Sequence, residues 1–259
     1  MKIVVCVKHV PDADSEPRFA DDGTTDRQAV DSVLSPLDEY AVEQALRIAA
    51  SHEGSEVTFV TIGPGGAKDT LRKALAMGGD RAVHITDDAV RGTDALGTSL
   101  LLAEAVRRLG FDLVICGMAS TDGAMGVVPA MLAERLGVPA VTYLDEVGLD
   151  GTTVTGRRES DLATERLEAN LPAVVSVTDR TDEARYPSFK GIMAAKKKPL
   201  ETLGLADLGV SPDRVGLSAA WSAVDTATRR PPRSKGEIVT DEGDGGTKLA
   251  DFLAAKKFI

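Results

Sequence analysis

The chain has 259 residues, 43% of them hydrophobic and only 4% aromatic, with a formal net charge of −10. That length and apolar content suit one large domain, or one domain with extensions. No run reaches the roughly 18 apolar residues of a membrane span, and the acidic balance argues against nonspecific nucleic-acid binding.

Residues 2–7 open the chain as a short β-branched strand, without the apolar core and small-residue cleavage site of a signal peptide, so a cytoplasmic protein is expected. Ser35-Pro36-Leu37-Asp38 has the form of a capping box with proline at the first helical position. It predicts a helix over 37–50 with Val42, Ala45, Leu46 and Ala49 on one face. Residues 56–62 and 81–86 read as strands on either side of a helix starting near Ala67. A helix over 94–109 carries Leu96, Leu100, Ala103 and Val106 on one face, with Thr93 or Asp94 as its cap and Gly110 as its stop. Residues 112–117 and 139–144 are further strands. This β–α alternation predicts an α/β fold: an open, Rossmann-like parallel sheet with helices on both faces.

After about residue 145 the rhythm changes. Residues 146–160 predict a β-hairpin turning at Asp150-Gly151, and residues 171–179 one more buried strand. From Arg180 onward the sequence reads as mostly loop, short helix and linker, punctuated by Pro231-Pro232 and the glycine-rich run 241–246. Residues 247–258 form a short amphipathic helix with Leu249, Phe252 and Leu253, which cannot bury its apolar face alone. The expected division is an α/β domain over 1–180, including the hairpin, and a C-terminal arm over 181–259.

Ligands of open parallel sheets lie beyond the carboxyl ends of the strands. Three loops qualify there: Lys8 to Asp12, Gly63 to Gly66, and Gly117 to Gly126. The third combines small residues with the hydroxyls of Ser120 and Thr121 and precedes a helix N-terminus that favours a phosphate. It reads either as a nucleotide cradle or as an ordinary tight turn, because it is neither a dinucleotide fingerprint nor a P-loop. His9 and His84 have no nucleophile or carboxylate partner in the pattern, and no catalytic carboxylate pair is visible. Cys6 and Cys116 read as reduced core thiols, and no ligand cluster suggests a metal.

Three segments carry a resemblance. Val7-Lys8-His9-Val10-Pro11-Asp12, Ala74 through Ala82, and Leu171-Pro172-Ala173-Val174-Val175 followed by Arg185 through Lys198 resemble electron transfer flavoprotein beta subunits, in order and almost end to end. The resemblance implies a heterodimer with an alpha subunit that holds most of the FAD, while beta holds a structural AMP and no catalytic centre of its own. Carried over by position, the AMP site comprises Cys6, Ser35, Pro36, Leu37, Asp38 and Ile62. It also takes in the loop of Ala119, Ser120, Thr121, Asp122, Gly123, Ala124, Met125, Gly126, Val127, Val128, Pro129 and Ala130. Pro11 to Ala13 and Leu37 would border the flavin. Tyr186, Pro187, Ser188, Phe189, Lys190, Gly191 and Ile192 match the loop that docks partner dehydrogenases. Phe189 stands there where the family commonly has leucine, and it reads as either an exposed anchor or a core residue. Lys196, Lys197 and Lys198 would add positive charge nearby. Glu165 aligns with an acidic position linked to domain motion.

The resemblance has departures. Ser35 replaces a frequent asparagine, and Leu162-Ala163 follows Asp161 where a glycine pair is usual, which restricts positive φ. Met125-Gly126-Val127-Val128-Pro129 lacks the Gln-x-Gly-Pro-like run of bifurcating relatives that bind a second FAD, so AMP is the expected ligand. The implied function is electron relay from an acyl-CoA dehydrogenase or related flavoenzyme, with a quinone oxidoreductase as a possible acceptor. A nucleotide-binding module of the universal stress type would leave residues 171–198 without a role. An adenylating enzyme would need a glycine-bearing loop after the first strand, which Lys8 to Asp12 lacks.

Overall fold

The structure, a computed structural model, describes residues 1–16, 18–233, 235–236 and 238–259; Ser234 and Glu237 of the expected C-terminal arm lie outside the described residues. The chain begins with β1 (Lys2–Cys6), a small antiparallel pair β2 (His9–Pro11) and β3 (Ser32–Leu34), and helix α1 (Pro36–Ser51). It continues through β4 (Glu56–Ile62), α2 (Ala67–Met77), β5 (Arg81–Ile85), α3 (Ala95–Leu109), β6 (Leu113–Gly117), α4 (Val128–Leu136) and β7 (Ala140–Leu144). An antiparallel sheet of β8 (Glu146–Asp150), β9 (Thr153–Glu159) and β10 (Thr164–Asn170) follows. The chain then returns to the main sheet with β11 (Ala173–Val177), α5 (Phe189–Ala195) and β12 (Leu200–Leu203), and ends with α6 (Gly245–Ala255).

The main sheet has seven strands in the order β12-β5-β4-β1-β6-β11-β7, and all six pairings are parallel. Its strands are continuous apolar runs because both faces are covered. Alternate residues feed two cores: Ile3, Val5, Leu113 and Ile115 pack with α1 and α2, while Val4, Val114 and Val174 pack with α3 and α4. Asp94 caps α3, its Oδ1 accepting the Gly97 N–H at 3.0 Å, and Gly110 ends it. Leu96 departs from the expected helix face and is exposed in that first turn.

Three expectations are corrected. The hairpin is a three-stranded sheet, because Thr164 to Asn170 adds β10. Its mostly exposed, polar residues carry no apolar alternation for a sequence reading to detect. The segment after Arg180 is not only linker: β12 extends the main sheet beside β5. The compact units are Met1–Asp225 and Thr226–Ile259, so the division falls well beyond residue 180. In the smaller unit, α6 has no buried residue, and Leu249 and Phe252 are exposed. Among the described residues, no helix is long and apolar enough to cross a membrane.

The position of the boundary can be tested by truncation. Leu203, Leu205, Leu208, Val210 and Val215 are buried in the core under α3. At about 1.5–3 kcal/mol each they contribute on the order of 10 kcal/mol, comparable with the whole stability of a typical domain. A chain ending at Asp225 is expected to melt cooperatively by circular dichroism, and one ending at Arg180 is not. Cooperative melting of the shorter chain would place the boundary at 180 after all.

Candidate functional site

From β1 the chain runs outward to β4 and β5, then crosses back to β6 on the other side of β1. The order therefore reverses between β1 and β6, the switch point at which open α/β sheets place a ligand crevice beyond their carboxyl ends. Cys6 and Cys116 are register partners at this point. Nothing in the residue pattern marks these two thiols as neighbours. Burial and the adjacent Cys6 sulfur keep Cys116 a thiol, with the Cys6 interaction the larger cause.

Asp38 closes the floor of the crevice. Its Oδ2 accepts the Lys8 backbone N–H at 2.8 Å, and the Gly117 N–H also stabilises its charge. Burial pushes its pKa up to about 7, against the pull of those N–H groups and of the Lys8 ammonium. A Cβ at Gly117 would overlap Asp38 Oδ1 and the Leu37 carbonyl, so glycine is what lets α1 start this close to β6. The expected capping box is not formed. Ser35 makes no side-chain cap bond, and the Asp38 carboxylate points inward. α1 starts instead on Pro36, with the Ser35 carbonyl accepting from the Asp38 and Glu39 N–H groups at 2.9 and 3.3 Å.

The loop between β6 and α4 forms one wall. Asp122 takes an ion pair from Lys8 Nζ at 2.8 Å and another from Arg27 Nη2 at 2.6 Å. Lys8 Nζ also donates to Ser120 Oγ, and Arg27 Nη1 to the His9 carbonyl. Burial opposes ionisation of Asp122, but Lys8, Arg27 and the Ser120 hydroxyl outweigh it and hold the carboxyl well below the usual carboxylate range. Arg27 lies in a segment without periodicity, and nothing in the sequence singled it out. Tyr143 was likewise hidden in a strand. It adopts φ +61, an uncommon conformation for a residue with a side chain, and its hydroxyl donates to the Gly126 carbonyl at 2.8 Å. Thr121, Gly123, Ala124 and Met125 are exposed at the loop tip, while Ala119, Gly126 and Val127 are half-buried. Val128, Pro129 and Ala130 form the first turn of α4, and the N–H groups of Gly126, Val127 and Val128 make no backbone hydrogen bond among the described residues.

Ile62 ends β4, one strand over from β1. Beside it, His9 shares a hydrogen bond with Thr70, and His84 bonds the Gly63 carbonyl. Burial lowers both histidine pKa values, so each stays neutral and structural. The hydroxyls of Ser35 and Thr61 are buried without a hydrogen-bond partner. A buried donor left unpaired is costly, so such groups mark a place where something else binds.

The second set of expected residues lies elsewhere. Phe189 is 81% exposed and Tyr186 88%, so neither is tucked into the core. Phe189 is not in a loop but starts α5, capped by Ser188 Oγ, which accepts the Gly191 N–H. Pro187 and Ile192 join Arg72, Lys73, Ala76, Ala195 and Lys196 around an open groove of about 450 Å³. Lys190, Lys196 and Lys197 are exposed, but Lys198 is not part of a basic patch. Its ammonium turns inward to the carbonyls of Leu75 and Gly78 at the end of α2, where a cation satisfies orphan acceptors. Glu165 lies on β10 and pairs with Arg158 at 2.8 Å on the surface. Leu162 and Ala163 turn the β9–β10 tip without positive φ, their N–H groups bonding Ser160 Oγ.

A family model, the electron transfer flavoprotein domain, matches residues 22–208. The chain is 49% identical over 264 residues to the electron transfer flavoprotein subunit beta of Mycobacterium bovis, covering 99% of each. It is equally similar, over 263 residues, to that subunit of Mycobacterium leprae. It is 34% identical to the caffeyl-CoA reductase-Etf complex subunit CarD of Acetobacterium woodii, over 99% of this chain and 97% of that protein.

Titration of Asp38 gives a signed prediction. Its folded pKa of about 7 lies above the ordinary 3.8. The folded state therefore holds a proton that the unfolded chain has released, and stability falls as pH rises between those values, by at most about 1.4 kcal/mol per unit. In denaturant unfolding, Asp38→Asn should lose this slope and gain on the natural chain between about pH 5 and pH 7. Parallel pH profiles would show that Asp38 is ionised throughout.

Proposed function

The chain belongs to the electron transfer flavoprotein family as a beta subunit, and from that premise we propose that the β1/β6 crevice holds AMP while α5 docks a partner dehydrogenase. Membership brings a role in electron transfer and an alpha-subunit partner.

The observation that carries the AMP reading is the set of unsatisfied donors at one sheet edge. The Ser35 and Thr61 hydroxyls are buried and unpartnered, and the N–H groups of Gly126, Val127 and Val128 stand free at the start of α4. Hydroxyl donors suit a ribose or a purine edge, and a helix N-terminus suits a phosphate. Lys8 and Arg27 share the single Asp122 carboxylate, and the small positive charge left over favours one phosphate over a longer chain. FAD, held mainly by alpha, supplies the redox chemistry when bound. The residues of this chain that would border it are Pro11 to Ala13 and Leu37, beside the same crevice. No acid, base or nucleophile in the crevice is required by this role, so we read the subunit as a carrier rather than an enzyme.

The docking reading rests on exposure. Phe189 and Tyr186 present apolar surface on a short, packed helix and its lead-in, beside an open groove, which is how an anchor residue awaits a partner pocket. An acyl-CoA dehydrogenase is the partner class we propose. The exposed Glu165–Arg158 pair can exchange partners readily in water, which suits a residue that engages a moving domain.

Two measurements test these points. Ligands released by denaturing the alpha–beta complex should be FAD and AMP in equal amounts, by mass spectrometry; twice as much FAD and no AMP would mean a second flavin in the crevice. Phe189→Ala should slow reduction by an acyl-CoA dehydrogenase about tenfold or more with flavin content intact. An unchanged rate removes the docking role.

A further inference from the structure

The exposed docking edge is short, yet it is not loosely attached. Arg185, immediately before Tyr186, is bound by one carboxylate in three ways. Glu43 Oε2 accepts the Arg185 backbone N–H at 3.1 Å and its Nε at 2.7 Å, and Glu43 Oε1 accepts Nη2 at 2.9 Å. The Glu43 side chain is only 8% exposed, whereas that of Arg185 is 44% exposed. Burial opposes the charge on Glu43, but Arg185 outweighs it and holds the carboxyl below its ordinary range. One turn further along α1, Arg47 pairs with Asp182, so the chain approaching the docking edge is fastened to α1 twice. Beyond the edge, Gly191 sits against the Ala76 carbonyl, where a Cβ would overlap it, and Arg72 Nη1 donates to the Lys198 carbonyl at 2.9 Å.

We infer that Glu43 is a positioning residue for partner docking. Its carboxylate fixes the backbone and side chain of Arg185, and thereby the direction in which Tyr186 and Phe189 leave the surface. A bidentate carboxylate–guanidinium pair adds geometric definition as well as energy, and the third bond to the backbone N–H transmits that definition to the main chain. The pair is otherwise expensive for a fold to keep, since a buried carboxylate loses its hydration. An apolar residue on α1 would fill the same volume without fixing the exit of the chain. Glu43 also lies five residues after Asp38 on the same rigid helix, about 8 Å along its axis. The helix that floors the nucleotide crevice thus orients the docking edge too.

This inference rests on the docking reading of Phe189, and the experiment separates the two. Glu43→Gln, Arg185→Gln and the double variant are each assembled with the alpha subunit. Kinetics with a reduced acyl-CoA dehydrogenase and amide hydrogen exchange across 186–192 are then measured. Each single variant should raise KM for the complex about tenfold, with kcat, flavin content and AMP content unchanged, and should speed exchange across 186–192. The double variant should be no worse than either single one, because both remove the same bond. Arg185 is half-exposed, so its variant reports even if the change at Glu43 disturbs folding. Unchanged KM and exchange in both single variants, with Phe189→Ala still impaired, would overturn the positioning role and leave docking intact. Faster exchange with no kinetic effect from any variant, Phe189→Ala included, would sink the docking reading instead.

Discussion

The geometry of the crevice depends on one buried carboxylate. The chain order reverses between β1 and β6, so the loops leaving their carboxyl ends part, yet the peptide groups at the strand tips still need hydrogen bonds. Asp38 meets both demands by reaching from the first turn of α1 to the Lys8 and Gly117 N–H groups. Without it the sheet ends would fray or close on one another. The cost is a carboxyl group with little access to water, whose charge is disfavoured by burial. That cost explains the glycine at 117: the carboxylate sits so close to β6 that no side chain fits between them.

The same device recurs with different partners, and burial decides what each instance does. Asp122 gathers Lys8 and Arg27 and ties the β6–α4 loop to the chain after β1. Glu43 gathers Arg185 and ties the segment leading into α5 to α1. Both are carboxylates largely removed from water whose cations remain partly exposed. The acid is therefore the fixed point, and the flexible cation is drawn to it. The Glu165–Arg158 pair lies nearer the surface, with Glu165 exposed and Arg158 half-buried. Water competes for both partners there, which leaves Glu165 available to other surfaces.

Much of this architecture was legible in the sequence, for a definite reason. Strands buried on both faces read as continuous apolar runs, and helices covering them show the 3.6 period, so β1, β4, β5, β6, α1 and α3 were visible. What escaped was decided at a distance. β12 is a short strand whose place beside β5 comes from tertiary packing of Leu203, and β10 offers only Leu167 and Ala169 as half-buried apolar positions among charged neighbours. Ser35 has the side chain of a helix cap, but Asp38 is claimed by two strand ends that lie far off in sequence, so the local rule lost. Lys198 sits in a run of three lysines and reads as solvated charge, yet the carbonyls at the end of α2 draw it in. Arg27 and Tyr143 belong to the crevice only because the fold brings them there.

The polar atoms that the fold leaves unpaired and the apolar ones it leaves uncovered argue in the same direction. A chain able to bury Phe59, Leu71 and Leu101 completely could also have paired the Ser35 hydroxyl and covered Phe189. Ser35 and Thr61 leave buried hydroxyls unpaired at the carboxyl end of the sheet, while α5 and α6 leave Phe189, Leu249 and Phe252 uncovered. Each kind of deficit is costly in an isolated chain and is relieved by a different class of contact: hydrogen bonds from a small polar ligand in the first case, apolar contact with another protein in the second. A stand-alone enzyme concentrates its unsatisfied chemistry at one reaction centre. In this chain the unpaired hydroxyls and the uncovered side chains of α5 lie apart, and α1 is in contact with both regions through Asp38 and Glu43.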